Sequence, residues 1–316
     1  MAVLIKKDKK TGKSYRIVTP DWDWPMPVLN GIAPAGMGMD LSISSHMDDI
    51  IQSGLVLYYD ASNLLSYTAS NSGLWKDMSP PTGSGYNLTL ANSPTVGNIK
   101  IPSTTPPYSQ SLISYLNFNG TNQSGNVNDG TYTAFGSGSF SVSVWFNPAQ
   151  WSFVNNSALI DKWSNATTTN GWAITSGPSG GGTGINYLRG IVGTKLITSN
   201  TTVSTNTWQN WTFVEYVSSS VVGGNTIYSS SLYLYKNGLL DTSSLMTAFT
   251  APVTYTGNLN VGLTGVYFSS PAYYSGSISS VAIYNTALTA NQVLTNYNIK
   301  AAKFGLPTYT ASIGGL

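Results

Sequence analysis

Of the chain's 316 residues only 8% are charged, against roughly 25% in an average soluble domain, so its surface must be wetted by Ser, Thr, Asn and Tyr. A net charge of +2 is too small to argue for nucleic acid, and the zero cysteines exclude disulfides and thiolate metal sites. No apolar run reaches the roughly 18 residues of a membrane span, and the first residues lack a signal peptide's apolar core, so the expectation is a soluble chain made in the cytoplasm.

Charge is segregated at the front. Up to Arg16, six bases (Lys6, Lys7, Lys9, Lys10, Lys13, Arg16) stand against Asp8, and from 17 to 50 five acids (Asp21, Asp23, Asp40, Asp48, Asp49) stand without a base. Such blocks mark residues 1–52 as an arm and linker apart from the core. Val3-Leu4-Ile5 and Tyr15-Arg16-Ile17-Val18 flank Lys10-Thr11-Gly12-Lys13, the pattern of a small basic hairpin or of an arm able to add to a neighbour's sheet. The segment PDWDWPMP follows; it is too short and too proline-rich to bury its own rings, so Trp22 and Trp24 insert either into the chain's own sandwich or into another subunit. With Lys6, Lys7 and Arg16 they are the candidate partner-binding residues. GIAPAGMGM reads as linker. His46, the only histidine, reads as a cap or surface residue, because a metal needs several converging ligands.

From Ser53 the pattern is that of short strands. Leu55, Leu57 and Tyr59 alternate with Val56 and Tyr58, a strand with both faces occupied. Leu88 and Leu90, then Leu116 and Phe118, mark two more. In SFSVSVWFNP, Phe140, Val142, Val144 and Phe146 face one way and Ser139, Ser141, Ser143 and Trp145 the other. Ala158 to Lys162, Gly171 to Ile174 and Thr212 to Tyr216 are further strands, and Gly177 to Gly184 is a loop with no phosphate-cradle signal after it. Leu232 to Tyr235 run into Asn237-Gly238, a two-residue hairpin signal. Leu259 and Val261 make the penultimate strand. In the last strand the apolar phase slips between Ile278 and Val281, as a bulge or a strand buried on both faces requires. The period then changes. Thr289 and Gln292 have capping-box spacing, Val293, Leu294 and Tyr297 share one side of a short helix, Lys300 and Lys303 lie near its C-terminus, and Gly305 stops it.

Two stretches carry a family resemblance. SGLVLYYDASNLLSY with GLWKDMS is similar to G-L-V-L-Y-x-D-A-x-N-x-x-S-Y and W-x-D-x-S. Gly276, Ile278, Val281, Ile283, Tyr284, Asn285, Ala287, Leu288, Gln292, Val293, Leu294, Asn296, Tyr297 and Asn298 sit in the places of G-x-I-x-x-V-x-I-Y and N-x-A-L-(S/T)-x-x-(Q/E)-(I/V)-L-x-N-(F/Y)-N, with Phe304-Gly305-Leu306 as the terminal F-G-L. Both resemble the laminin-G-like, concanavalin-A-like jelly rolls of tailed-phage virion proteins. SPPTGSGY and the stretch from Lys100 to Ser111 depart from that pattern as longer insertions, and the strand after Trp208 and Trp211 lacks the family's usual histidine. The resemblance implies an all-β, concanavalin-A-like antiparallel sandwich over 53–306, an extended N-terminal arm, a short C-terminal helix and a tail at 307–316.

It also implies a non-enzymatic virion structural protein, an outward-facing domain anchored by its arm, as capsid decoration or head fibre or as a neck or tail-fibre component. The alternative is a carbohydrate-binding adhesin recognising the host surface. Expected partners are other virion proteins through residues before Ser53, further copies of the chain, and a cell-surface glycan, with no membrane and no nucleic acid; the expected location is the virion.

Glycoside hydrolysis, the obvious chemistry for such a sandwich, needs two carboxyl groups facing each other across the sugar. After Ser53 the carboxylates are only Asp60, Asp77, Asp129, Asp161, Glu215 and Asp241, in no E-x-D-x-E pattern, and Asp60 and Asp77 sit where turn and cap hydrogen bonds are expected. No catalytic residue is assigned. Calcium prefers oxygen donors that Asp60, Asp77, Asp161 and Asp241 could supply, but no compact D-x-D-x-D spacing supports it, so no cofactor or metal is assigned. Trp151, Trp163 and Tyr273, with Tyr267, are the aromatic residues near loops that could stack on a sugar ring.

Overall fold

The computed structural model describes residues 2–7, 14–19, 50–79, 85–101, 111–151, 158–163, 171–177, 186–249, 256–264 and 272–310. Its contacts divide the chain into two units, Met1–Asp48 and Asp49–Leu316. The first contains the two strands expected on either side of Lys10-Thr11-Gly12-Lys13. Strand β1 (Ala2–Lys7) pairs antiparallel with β2 (Ser14–Thr19), Ala2 opposite Thr19 through to Lys7 opposite Ser14. Trp22 and Trp24 lie outside the described residues.

The second unit runs β3 (Leu55–Asp60), β4 (Leu74–Trp75), β5 (Leu88–Ala91), β6 (Thr95–Ile101), β7 (Ser111–Asn119), β8 (Ser124–Val127), β9 (Phe140–Pro148), β10 (Ala158–Trp163), β11 (Gly171–Gly177) and β12 (Tyr187–Val192). It continues with β13 (Lys195–Thr202), β14 (Gln209–Val222), β15 (Asn225–Lys236), β16 (Leu239–Phe249), β17 (Leu259–Val261), β18 (Leu263–Thr264), β19 (Ala272–Tyr273), β20 (Ser275–Tyr284) and the helix α1 (Ala290–Ala301). One sheet has the order β13-β12-β11-β10-β17-β8-β5-β4 and the other β16-β15-β14-β9-β20-β7-β6, with β3 also on β20. This is the antiparallel sandwich expected, its two sheets meeting in one apolar core.

Phe140, Val142, Val144 and Phe146 of β9 are fully buried and meet Trp172, Ile174, Leu259 and Val261 of the facing sheet in one apolar cluster. Each such side chain contributes roughly 1.5–3 kcal/mol by leaving water.

The phase slip in β20 is a bulge. Ile278 lies opposite Phe146 but Ser280 opposite Trp145, leaving Ser279 as the extra residue. Before it β20 pairs with β7 and after it with β3, and the Ala61 N–H donates to the Ser279 carbonyl at 2.9 Å. The bulge thus lets one strand serve two neighbours on the same side. Asn237 and Gly238 turn β15 into β16 at φ 50° and 79°, the positive values the hairpin signal requires.

Helix α1 closes the outer face of the second sheet. Its capping box is present, the Gln292 N–H donating to Thr289 Oγ1 and the Thr289 N–H to Gln292 Oε1. Leu294, Tyr297 and Ala301 pack with Trp145, the outer-facing aromatic of β9, and Gly305 ends the last turn at φ 70°. Lys300 lies in the last turn of α1, as the sequence suggested. It turns inward, its ammonium 2.8 Å from Asp60 Oδ2 and 2.8 Å from Ser280 Oγ.

Candidate functional site

Every described carboxylate of the sandwich is committed to holding the fold. Asp77 accepts from the Tyr58 N–H at 2.8 Å and from both N–H and hydroxyl of Ser79 at 3.0 and 2.8 Å. Asp129, 2% exposed, accepts from Thr133 N–H at 3.1 Å and from the Lys162 ammonium. Lys162 also donates to the Gly130 and Gly257 carbonyls at 2.9 and 2.7 Å, and its burial pulls the ammonium below the usual lysine range, against the pull of Asp129. Asp161 accepts from Asn260 Nδ2 at 2.7 Å. Glu215 is bound by Lys195 and by Ser230 Oγ. Asp241 clasps β13 to β16 through the Asn200 and Thr201 N–H groups at 2.6 and 3.1 Å.

Asp60 completes the set. Burial works against its charged form, yet the ammonium of Lys300, with the Ser62 N–H and Tyr58 hydroxyl at 2.9 Å each, holds the carboxyl below the usual carboxylate range. Asp60 and Asp77 therefore do the turn and cap work expected of them. A general acid must be able to give up a proton toward a substrate; Asp60, Asp77, Asp129, Asp161 and Glu215 are buried and already bonded within the fold, and Asp241 is half-buried. Among the described residues no three His, Cys, Asp or Glu side chains gather as a metal set.

The aromatic residues rearrange the expectation of a sugar platform. Trp151 is 2% exposed, packed on Phe146 with its indole N–H on the Tyr187 carbonyl at 3.1 Å. Trp163 is 4% exposed. Both are core residues, so neither offers a ring face to a sugar; proximity to loops in sequence did not reveal that the adjoining strands turn them inward. Tyr273 is half-buried on the short ribbon of β18 and β19, opposite Leu263, and Tyr267 lies outside the described residues. Lys6 and Arg16 stand in the first unit's hairpin, opposite Tyr15 and Ile5, and Lys7 opposite Ser14.

The aromatic surface is elsewhere, on the outer face of the second sheet. Tyr115 of β7 sets its edge to Trp208 at 5.2 Å between centroids, and Trp208 leans on Phe304 at 4.6 Å. Phe304 stacks on Trp145 at 4.5 Å, and Trp145 on Tyr297 at 5.6 Å. The inner two are buried, whereas Tyr115, Trp208 and Phe304 are half-buried. Gly97 of β6 makes room for this, because a Cβ there would lie 2.3 Å from the Tyr115 ring. Asn117, two residues along β7 from Tyr115 and so on the same face, accepts from Ser277 Oγ at 2.6 Å. Partly open rings beside amides and hydroxyls are the chemistry that meets a sugar's C–H face and its hydroxyl rim. Sequence reasoning passed over this group because its members come from four separate segments.

A cavity under α1, lined by Tyr58, Ser143, Ser280, Asn296 and Lys300 among others, measures about 20 Å³. That is room for a water molecule and too small for a sugar. No described helix is long and apolar enough to cross a membrane.

No curated protein sequence matches the chain. Among solved structures it is similar to the fourth domain of a GH43 extracellular arabinanase from Geobacillus stearothermophilus, crystallised with arabinotriose, at 18% identity over 78% of this chain and 99% of that one, TM-score 0.45. It is also similar to the binding domain of Paraclostridial Mosquitocidal Protein 1, at 18% identity over 78% of this chain and TM-score 0.47, spanning only 52% of that chain. Trypanosoma rangeli sialidase follows at 10% identity and TM-score 0.48, over 82% of this chain and 34% of that one. A family profile matches residues 119–294, more than half of the sequence. With that match and two antiparallel sheets packed face to face, the chain belongs to the concanavalin A-like lectin/glucanases superfamily.

Proposed function

We propose that this chain is a non-catalytic structural protein of a tailed-phage particle, its sandwich displayed outward and its residues before Ser53 docked on another virion protein. The observation that carries the non-catalytic part is the commitment of all six described sandwich carboxylates to buried ion pairs, turns and strand clasps. The phage part is supported by the motifs at the two ends of the sandwich and by the segregated charge of the arm. The test is incorporation. Particles carrying the full chain are compared with particles made with a chain lacking residues 1–52, by mass spectrometry of purified virions. Loss of the truncated chain from particles, with its sandwich still folded by circular dichroism, is the expected result; equal incorporation refutes the docking role.

The half-buried row of Tyr115, Trp208 and Phe304 favours a second reading, a domain that also binds a cell-surface glycan. A glycan array on the full chain, repeated with Trp208→Ala and Tyr115→Ala, tests it. Binding lost in both variants supports the row as the site, and unchanged binding, or no binding by the native chain, removes it.

A further inference from the structure

Among the described residues, the long ribbon at one side of the second sheet has an edge that no strand pairs. Strand β14 pairs with β15 from Trp211 to Val222, but on its other side β9 accompanies it only from Gln209 to Glu215, where Phe140 ends the pairing. The next backbone group on that side is capped by a side chain, the Val217 N–H donating to Ser139 Oγ at 2.9 Å. Because strand groups alternate sides, the N–H and C=O of Ser219 and Val221 point to the same side as those of Val217. Among the described strands none pairs with them.

This edge carries none of the usual guards. From Tyr216 to Tyr235 there is no Asp, Glu, Lys, Arg or Pro, although lysine, proline or inward charge is how edge strands commonly avoid pairing. Tyr216, Val221 and Val222 are 51%, 73% and 58% exposed. Ser218 to Val222 is a run of small hydroxyl and β-branched residues suited to a strand.

We propose that this edge pairs antiparallel with the same edge of a second copy of the chain, about a two-fold axis at Ser220. Pairing about a two-fold axis brings any charge near the centre of the edge close to its own copy, so a charged edge would repel itself; this segment carries no charge. The register centred on Ser220 sets Ser219 opposite Val221 of the other copy and uses only groups that no described strand pairs, four hydrogen bonds in all, leaving the Ser139 cap intact. The pairing is independent of whether the sandwich also binds a glycan.

Proline at position 219 isolates the idea. Ser219→Pro deletes an N–H that faces outward, costs no bond to β15, and suits an edge strand. Light scattering after size exclusion, at loadings up to about 200 μM so that weak pairing registers, is expected to give twice the chain mass for the native protein and the single mass for Ser219→Pro. Val221→Lys, which adds a repelled charge, should also give the single mass and serves if the proline variant does not fold. A native protein of single-chain mass overturns the proposal, as does a doubled mass that persists in folded Ser219→Pro and Val221→Lys.

Discussion

Replacing Lys300 by Met would remove the ammonium that joins α1 to β3 while keeping most of the side chain's volume. Asp60, 3% exposed, would keep the Ser62 N–H and the Tyr58 hydroxyl but lose the only cation it touches among the described residues. Breaking one partner out of a buried pair costs about 3–5 kcal/mol, against at most about 1 kcal/mol for an exposed bridge. In a unit of this size that lowers the melting temperature by roughly 10 °C. The pH dependence gives a second reading of the same contact. The folded Asp60 carboxyl lies below its unfolded value, so its contribution is complete above the unfolded range near about 4 and is lost as pH falls through the lowered folded value. In Lys300→Met, burial acts on Asp60 without the opposing ammonium and pushes its folded value upward, so acid relieves the variant. Urea unfolding at neutral pH and near pH 4 should show the gap between native and variant widest at neutral pH and narrowed in acid. A loss under about 1 kcal/mol at neutral pH, or a gap that does not change with pH, refutes the burial argument.

Three other substitutions probe how the helix and its approach are built. Gly238→Ala forces a Cβ into a residue at φ 79° and within 2.8 Å of the Tyr297 ring, so a loss of about 2 kcal/mol in urea midpoint analysis is expected. Ser141→Ala removes a hydroxyl that donates to the Thr286 carbonyl and accepts from the Leu288 N–H, both at 2.8 Å; leaving those groups unpaired should cost about 1–3 kcal/mol, read the same way. Thr289→Ala opens the capping box and should cost about 1 kcal/mol, with hydrogen exchange accelerated in the first turn of α1 rather than throughout the sandwich.

Much of this fold was legible because its signals are local. The alternation in SFSVSVWFNP, the Asn-Gly turn, the capping box and the slipped phase of the last strand each depend on residues within a few positions of one another, and the structure contains them all. The candidate site was much less so. Trp151 and Trp163 looked available from their neighbours in sequence, yet they are inside. Lys300 is the helix-end cation it looked like, but nothing local showed that its partner Asp60 lies 240 positions earlier.

What the sequence alone determined is the all-β class, many of the strands and the closing helix, since backbone periodicity and turn chemistry are written residue by residue; the order in which strands lie side by side came from the structure. Only the tertiary structure decided which aromatic rings stay at the surface, where every carboxylate finds its donors, and which strand edge is left open. Those outcomes depend on how two sheets close over one another and bring distant segments side by side. That closure is set by the packing of the whole core, and no short stretch of chain encodes it.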